Sequence, residues 1–289
     1  MIDARDTALI FEGGGTRNSY TAPAVEKLIE KDVQFGWVGG ISAGSVHAVN
    51  FASRDRWRSA HGFTDFVGDP RFGGLRSVVH GTGLINGQWA YEESGDVLPF
   101  DFDAFRETEE EVHIEAVRAD TGDTVAFNRS DLTSVEKVAS ATRASSTMPI
   151  VMKMGSIDGV EYVDGALGTS GGLLIRAAKD AGYSRFLVVL TRPKEYVKGP
   201  QKRQRAVRRI LRATPAVADA MVARPKVYND AKREIQAEEA AGNAYVFYPD
   251  AMAVESTELK LGKLQANYEA GRRQVEREWP AWERFLTER

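Results

Sequence analysis

The feature that most constrains this chain is the alternation in its first fifty residues. Residues 7–11 (TALIF) form a short apolar run that stops at Glu12-Gly13-Gly14-Gly15, as a buried strand does on entering a loop. The following TAPAVEKLIEKD places Ala24, Val25 and Leu28 on one helical face. Residues 35–40 (FGWVGG) read as a second strand. They run into Ile41-Ser42-Ala43-Gly44, and SVHAVNFAS then reads as a second helix. Strand–helix–strand–helix is the pattern of a parallel sheet covered on its faces. The expected fold is therefore α/β, a three-layer α/β/α arrangement with a mainly parallel central sheet.

The rest of the chain reads less evenly. Residues from about 55 to 90 are Gly-rich and read as irregular. Residues 112–119 and 123–128 suggest two strands joined by an Asp-Thr-Gly-Asp turn. Residues 134–142 suggest a helix, and 155–164 a hairpin turning at Asp158-Gly159. A helix over 171–181 and a buried strand over 185–191 follow. The last third is mostly helical and charged, with one apolar run at 243–248. Arg192-Pro193 marks the expected boundary between a core domain, 5–192, and a helical C-terminal extension, 193–289, packed on it.

Two motifs carry chemistry. The first is Gly40-Ile41-Ser42-Ala43-Gly44, a G-x-S-x-G between a strand and a helix. A serine on such a tight turn is presented at the end of the sheet and beside a helix N-terminus, with small neighbours avoiding backbone clashes. The same five residues also suit a purely structural turn. The second is Gly13-Gly14-Gly15-Thr16-Arg17. Successive glycines let backbone N–H groups converge on an anion, either a phosphate or the oxyanion of an acyl-transfer intermediate. A simple strand-to-helix turn explains them equally well. A P-loop is disfavoured because no Gly-Lys-Ser/Thr follows, and a G-x-G-x-x-G fingerprint fails at Asn18.

Composition decides which base could serve a serine nucleophile. There is no Cys, so disulfides, a thiolate nucleophile and Cys-ligated metal are excluded. The four His are His47, His61, His80 and His113, and none lies in the 176 residues after the last of them (289 − 113). The Ser–acid–His order of α/β-hydrolases is then hard to satisfy. His47 lies five residues past Ser42, about 140° around the same helix at about 100° per residue. A desolvated carboxylate can act as base instead. Asp164 in Tyr162-Val163-Asp164-Gly165-Ala166 is the best candidate, although an ordinary Asp-Gly turn has the same sequence.

Taken in order, the Gly-rich loop 13–17, the serine motif 40–44 and the distant Asp164-Gly165 resemble the patatin-like phospholipases. The segment Arg143-Ala144-Ser145-Ser146-Thr147-Met148-Pro149 looks like that family's Ala-Ser-x-x-x-Pro. VVLTRPKEYVK (188–198), RPKVYN (224–229) and Tyr268-Glu269-Ala270-Gly271 look like a bacterial branch with a helical C-terminal extension. The resemblance implies a serine acyl hydrolase of lipase or phospholipase type that cleaves carboxylic esters of lipids. Ser42 would be the nucleophile and Asp164 its base, passing through an acyl-enzyme. The N–H groups of Gly13, Gly14 and Gly15 would form the oxyanion hole, Arg17 would either steady that loop or lie near the anionic intermediate, and no metal or cofactor would take part. Two departures stand out: Asn18 replaces a glycine, and Ala166 with the loop 168–172 replaces a glycine and a later proline.

The alternatives are a non-catalytic lipid- or acyl-binding protein on the same fold, and an acyltransferase using an acceptor other than water. With 38 Lys+Arg against 41 Asp+Glu, the net charge of −3 argues against a nucleic-acid partner. The start, MIDARD, lacks the basic and apolar regions of a signal peptide, and no apolar stretch approaches about 18 residues. A cytoplasmic location is expected. The segment 202–222 places Arg205, Arg208, Arg209 and Arg212 beside apolar residues. It reads either as a helix packed on the core with a solvated charged face or as a peripheral membrane contact. Phe63, Phe66, Phe72, Leu75, Leu84, Ile85 and Trp89 read either as core or as the lining of an acyl-chain pocket.

Overall fold

A computed structural model describes residues 1–288 and, within them, every side chain except those of Leu75 and Arg76. The strands are β1 (Ile2–Phe11), β2 (Val33–Gly40), β3 (Glu111–Arg118), β4 (Thr124–Asn128), β5 (Gly155–Ile157), β6 (Val160–Asp164), β7 (Arg185–Val189) and β8 (Ala244–Phe247). The helices are α1 (Ala22–Glu30), α2 (Ala43–Ala52), α3 (Arg56–His61), α4 (Leu75–Val79), α5 (Phe102–Glu107), α6 (Val135–Ser146), α7 (Ile175–Asp180), α8 (Gln204–Ile210), α9 (Pro215–Ala240) and α10 (Leu261–Thr287).

One mixed, mostly parallel sheet organises them, in the order β5-β6-β3-β2-β1-β7-β8 with β4 added to β3. The centre, β3-β2-β1-β7-β8, is parallel throughout. The pairings of β3 with β4 and β6, and of β5 with β6, are antiparallel. Central strands buried on both faces read as continuous apolar runs. Leu9, Ile10 and Phe11 are accordingly buried, each contributing about 1.5–3 kcal/mol of burial. Their side chains alternate between two cores. Leu9 and Phe11 join α1 and α10 on one face, with Leu28, Val275 and Trp282. Ile10 joins α7 and α9 on the other, with Ile175, Tyr228 and Ile235. Residues 193–288 thus supply strand β8 and a covering helix to each face.

The irregular reading of residues 55–90 needs amendment. This stretch holds α3, α4 and several single helical turns. The start of α3 had a usable signal, since the Asp55 side chain accepts from the Arg58 N–H at 2.8 Å as an N-cap does. The expected hairpin turns where Asp158 and Gly159 both take positive φ, 50° and 79°, as a two-residue loop requires. The helix expected from residue 171 begins only at Ile175. Gly171 and Gly172, at φ 64° and 101°, belong instead to the loop before it.

Candidate active site

Sheet register brings Ser42 and Asp164 together. Strand β2 ends where Gly40 pairs with Ile114 of β3. Strand β4 occupies the opposite edge of β3, from His113 to Val117. Strand β6 therefore takes over the β2 edge beyond Ile114, with its last residue, Asp164, opposite Ala116. The chain leaving β2 and the chain leaving β6 diverge from adjacent positions, although 122 residues separate Ser42 from Asp164 (164 − 42).

Ser42 is held in an unfavourable backbone conformation, φ 56° and ψ −131°. Positive φ for a non-glycine residue persists only where the surroundings over-determine it. Here the N–H of Ser42 donates to Ser145 Oγ at 2.9 Å. Its carbonyl accepts from the Ser45 N–H at 2.9 Å and from Ser45 Oγ at 2.6 Å. Gly44 packs against β1 so closely that a Cβ there would lie 2.4 Å from the Phe11 carbonyl oxygen. A Cβ on Gly13 would lie 2.9 Å from the Ser42 Cβ and 2.7 Å from the Ile41 oxygen. The first glycine of the loop after β1 is thus in contact with the serine turn after β2. Among the described residues, the amides of Gly13, Gly14 and Gly15 donate to no protein acceptor.

Asp164 is buried at 6% exposure. Its Oδ1 accepts from the Ala166 N–H at 2.8 Å, and its own N–H donates to the Thr147 carbonyl at 2.8 Å. Burial raises the carboxyl above the ordinary aspartate range. The Arg224 charge, the Ala166 N–H, hydrogen bonding with the Ser42 side chain and the Lys198 charge oppose that rise. The end of α6 braces both residues, with Ser145 on the Ser42 amide and Thr147 on the Asp164 amide. No role for Ser145 was legible beyond its place in the Ala-Ser segment.

The histidines are engaged elsewhere. The His47 Nε2 is 2.9 Å from Thr21 Oγ1, and its ring packs between Phe11 and Phe63. Burial pushes it down to about 3, so it is neutral. The His61 Nδ1 meets the Trp57 carbonyl at 2.9 Å, and the His113 Nδ1 meets Asn128 Oδ1 at 2.8 Å. His80 is exposed on the segment after α4.

Two unlike surroundings meet at this pair. On one side, a cavity of about 450 Å³ reaches Ser42, within the ordinary range for a small-molecule ligand, about 300–1,000 Å³. Phe63, Phe66, Phe72 and Ile85 line it, joined by Tyr91 and Met152 among others, and Phe63, Phe66 and Ile85 are at the same time buried core residues. Trp89 stands behind, stacked on Phe66 at 5.1 Å between ring centroids, and Leu84 is absent from the lining. The Leu75 side chain lies outside the described residues. Tyr91 is pushed up to about 12, chiefly by burial, with Asp164 adding to the rise.

The other side is polar and was not foreseen. Glu12 is buried at the end of β1. It accepts from the Thr191 N–H at 2.6 Å and from the Tyr228 hydroxyl at 2.9 Å. Arg17, also buried, donates to Thr191 Oγ1 at 3.4 Å and lies against Gly14. Arg192, Lys198 and Arg224 lie around the same group. A carboxylate immediately after an apolar strand and before three glycines was the one available signal. Its partners, 179 and 216 residues away, were not predictable from it.

The helix α8 turns Val207 and Leu211 into a core cluster with Val217, and leaves Arg205, Arg208, Arg209 and Arg212 exposed. No helix among the described residues is long and apolar enough to cross a membrane.

Residues 214–287 match a domain of unknown function (DUF6363). No curated protein matches the chain. Among solved structures, VipD from Legionella pneumophila is similar over 95% of this chain and 77% of its own, at 10% identity and a TM-score of 0.40. Residues 9–175 match the model described as patatin-like phospholipase. That segment is more than half of the 289 residues and takes in both Ser42 and Asp164, so the chain belongs to the patatin-like phospholipase family.

Proposed function

We propose that the protein is a serine acyl hydrolase that cleaves carboxylic esters of lipids through Ser42 and Asp164. The observation that carries the reading is the strained, buried Ser42 beside a desolvated carboxyl. An ordinary turn serine needs no such conformation, and an ordinary Asp-Gly turn needs no such burial. A carboxyl raised by desolvation is a stronger base once ionised, which suits proton transfer from a hydroxyl near neutral pH.

In the first half-reaction Asp164 takes the Ser42 proton as Oγ attacks the ester carbonyl. The unused amides of Gly13, Gly14 and Gly15 are suited to receive the oxyanion, and Arg17 braces that loop. Asp164 then protonates the departing alcohol, leaving an acyl group on Ser42. In the second, Asp164 activates water, which releases the fatty acid and restores Ser42. The cavity ending at Ser42 would hold the acyl chain. Its apolar walls favour this reading over a purely structural serine turn. An acyltransferase would share every step but the last, and an acyl-binding protein would need none of the strain at Ser42.

Val207 and Leu211 already face the core, so any membrane contact by the face of Arg205, Arg208, Arg209 and Arg212 would rest on those charges and on the exposed Ile210. Removing those four charges should then abolish binding to anionic vesicles, and unchanged co-sedimentation would refute the contact.

The test of the function is release of p-nitrophenol from acyl esters by wild type and Ser42→Ala. Turnover in the wild type and none in a folded Ser42→Ala protein supports the assignment. Equal turnover in both contradicts it.

A further inference from the structure

A basic side chain beside the cavity can answer to an acid, as Arg143 does to Glu92 at 2.6 Å. Four cations near Asp164 do not. Among the described residues, Arg17, Arg192, Lys198 and Arg224 form no ion pair. The Nε atoms of Arg17, Arg192 and Arg224 are buried without any hydrogen-bond partner. Arg17 itself is only 7% exposed, and among the described residues its side chain makes one hydrogen bond, the long one to Thr191.

The four converge from three segments. Arg17 follows the glycine loop. Arg192 and Lys198 lie in the stretch after β7, where Arg192 stands 4.5 Å from the Tyr196 ring centroid. Arg224 comes from α9, whose Tyr228 ring lies 4.6 Å below the Lys198 ammonium. The mutual hydrogen bonds of Asn229 and Lys198, both 2.9 Å, fix the last two segments to each other. Among the described residues, the acids that face the group are Glu12 and Asp164. Glu12 already has both oxygens engaged, and Asp164 is held by Ala166 and Ser42. Lys232 is nearby but donates to the carbonyls of Pro193, Lys194 and Tyr196.

Burying guanidinium nitrogens without partners is costly and is seldom left uncompensated. In a chain of net charge −3, four unpaired cations at one point call for a negative group from outside. Planar guanidinium forks suit phosphate oxygens. We propose that Arg17, Arg192, Lys198 and Arg224 form an anion-binding site for a phosphate group beside Ser42 and Asp164. Its use in ester recognition rests on the acyl-hydrolase reading above, whereas its capacity to bind the anion does not. The electrostatics agree. Burial and the neighbouring Arg224 charge push Lys198 down to about 8, with Arg17 and Arg192 adding to the effect and Glu12 opposing it. A bound phosphate would reverse that depression.

Binding is tested in Ser42→Ala protein, which removes hydrolysis from the measurement. Calorimetric titrations use inorganic phosphate, dihexanoyl phosphatidic acid and the uncharged dihexanoylglycerol. The phosphatidic acid should bind at least about tenfold more tightly than the glycerol, a difference of about 1.4 kcal/mol. Replacing Arg192→Gln and Lys198→Gln together should remove that preference. Inorganic phosphate that binds and competes identifies the free anion as sufficient. Phosphatidic acid binding without phosphate binding identifies a lipid headgroup. Equal affinity for the two lipids with no phosphate binding, or a preference that survives in the double variant, overturns the proposal. Should the double variant fail to fold, NMR titration of the Lys198 amine in Ser42→Ala protein replaces it. Its pKa should rise when phosphate or phosphatidic acid is added, and an unmoved value overturns the proposal. Absence of esterase turnover in wild type would sink the acyl-hydrolase reading and leave these binding results standing.

Discussion

The two sides of the Ser42–Asp164 pair are built in contrasting ways. The apolar side is a cavity walled by residues between Gly15 and Met152, all within the segment that matches the family. The cationic side draws Arg17 from that segment, but Arg192, Lys198 and Arg224 come from beyond it. An apolar cavity reads chain length through the area it covers, and a cluster of charges reads the sign and shape of a polar group. The family core therefore holds the proposed reacting pair and the proposed acyl site. The C-terminal part completes the sheet through β8, and the proposed anion site would make it the source of a second kind of selectivity at the same place.

The largest predicted effect removes the element common to both sides. Asp164→Asn should lower ester turnover by at least about 10³-fold, because an amide cannot accept the serine proton. Steady-state assays on a neutral ester measure it, and a drop under tenfold would separate Asp164 from the chemistry. A smaller effect belongs to the apolar side alone. Ala139 lines the cavity, and Ala139→Trp should exclude a few methylenes of chain. At about 0.8 kcal/mol for each, losing two or three costs about 2 kcal/mol, or roughly thirtyfold. The kcat/KM ratio of long to short esters should fall by that factor. An unchanged ratio would place the acyl chain elsewhere.

A pH profile probes the cationic side. Asp164 must be ionised to act, and burial raises its carboxyl. Activity on a neutral ester should thus rise with pH along an acid limb centred above the ordinary aspartate value of 3.8. The Arg224 charge favours the ionised form, so Arg224→Gln should move that limb to still higher pH. A shift downward, or none, would show that Arg224 does not act on Asp164. The smallest effect concerns strain. At φ 56° a side chain at position 42 costs about 1–3 kcal/mol, partly offset by the about 0.5–1 kcal/mol of chain entropy a glycine loses. Ser42→Gly should therefore be more stable to denaturant than Ser42→Ala by about 1 kcal/mol. The reverse order would mean the turn is unstrained.

Much of the apolar architecture was readable because its signals are local. A five-residue apolar run before glycines marked β1, Asp158-Gly159 marked a hairpin, and the spacing of Ala24, Val25 and Leu28 marked the buried face of α1. The serine turn was readable for the same reason. The caps of α3 and α5 were also local, Asp55 accepting from Arg58 N–H and Asp101 from Ala104 N–H at 2.9 Å, yet each opens a helix of only six residues, too short to show a helical period. The cationic side was not readable. Glu12, Thr191 and Tyr228 meet only because β7 pairs with β1 while α9 crosses the sheet. No residue type or spacing within one segment records that meeting. The pairing of Ser42 with Asp164 is intermediate, since it follows from the sharing of one edge of β3 by β2 and β6. The sequence offered both residues, and only the register brings them together.

The most direct test of the central claim is covalent labelling by a fluorophosphonate, with the modified residue located by peptide mass spectrometry. The account predicts a single adduct on Ser42 in the wild type, at least about 10²-fold slower formation in Asp164→Asn, and none in Ser42→Ala. An unlabelled Ser42, or an adduct that persists unchanged in Ser42→Ala, would contradict it.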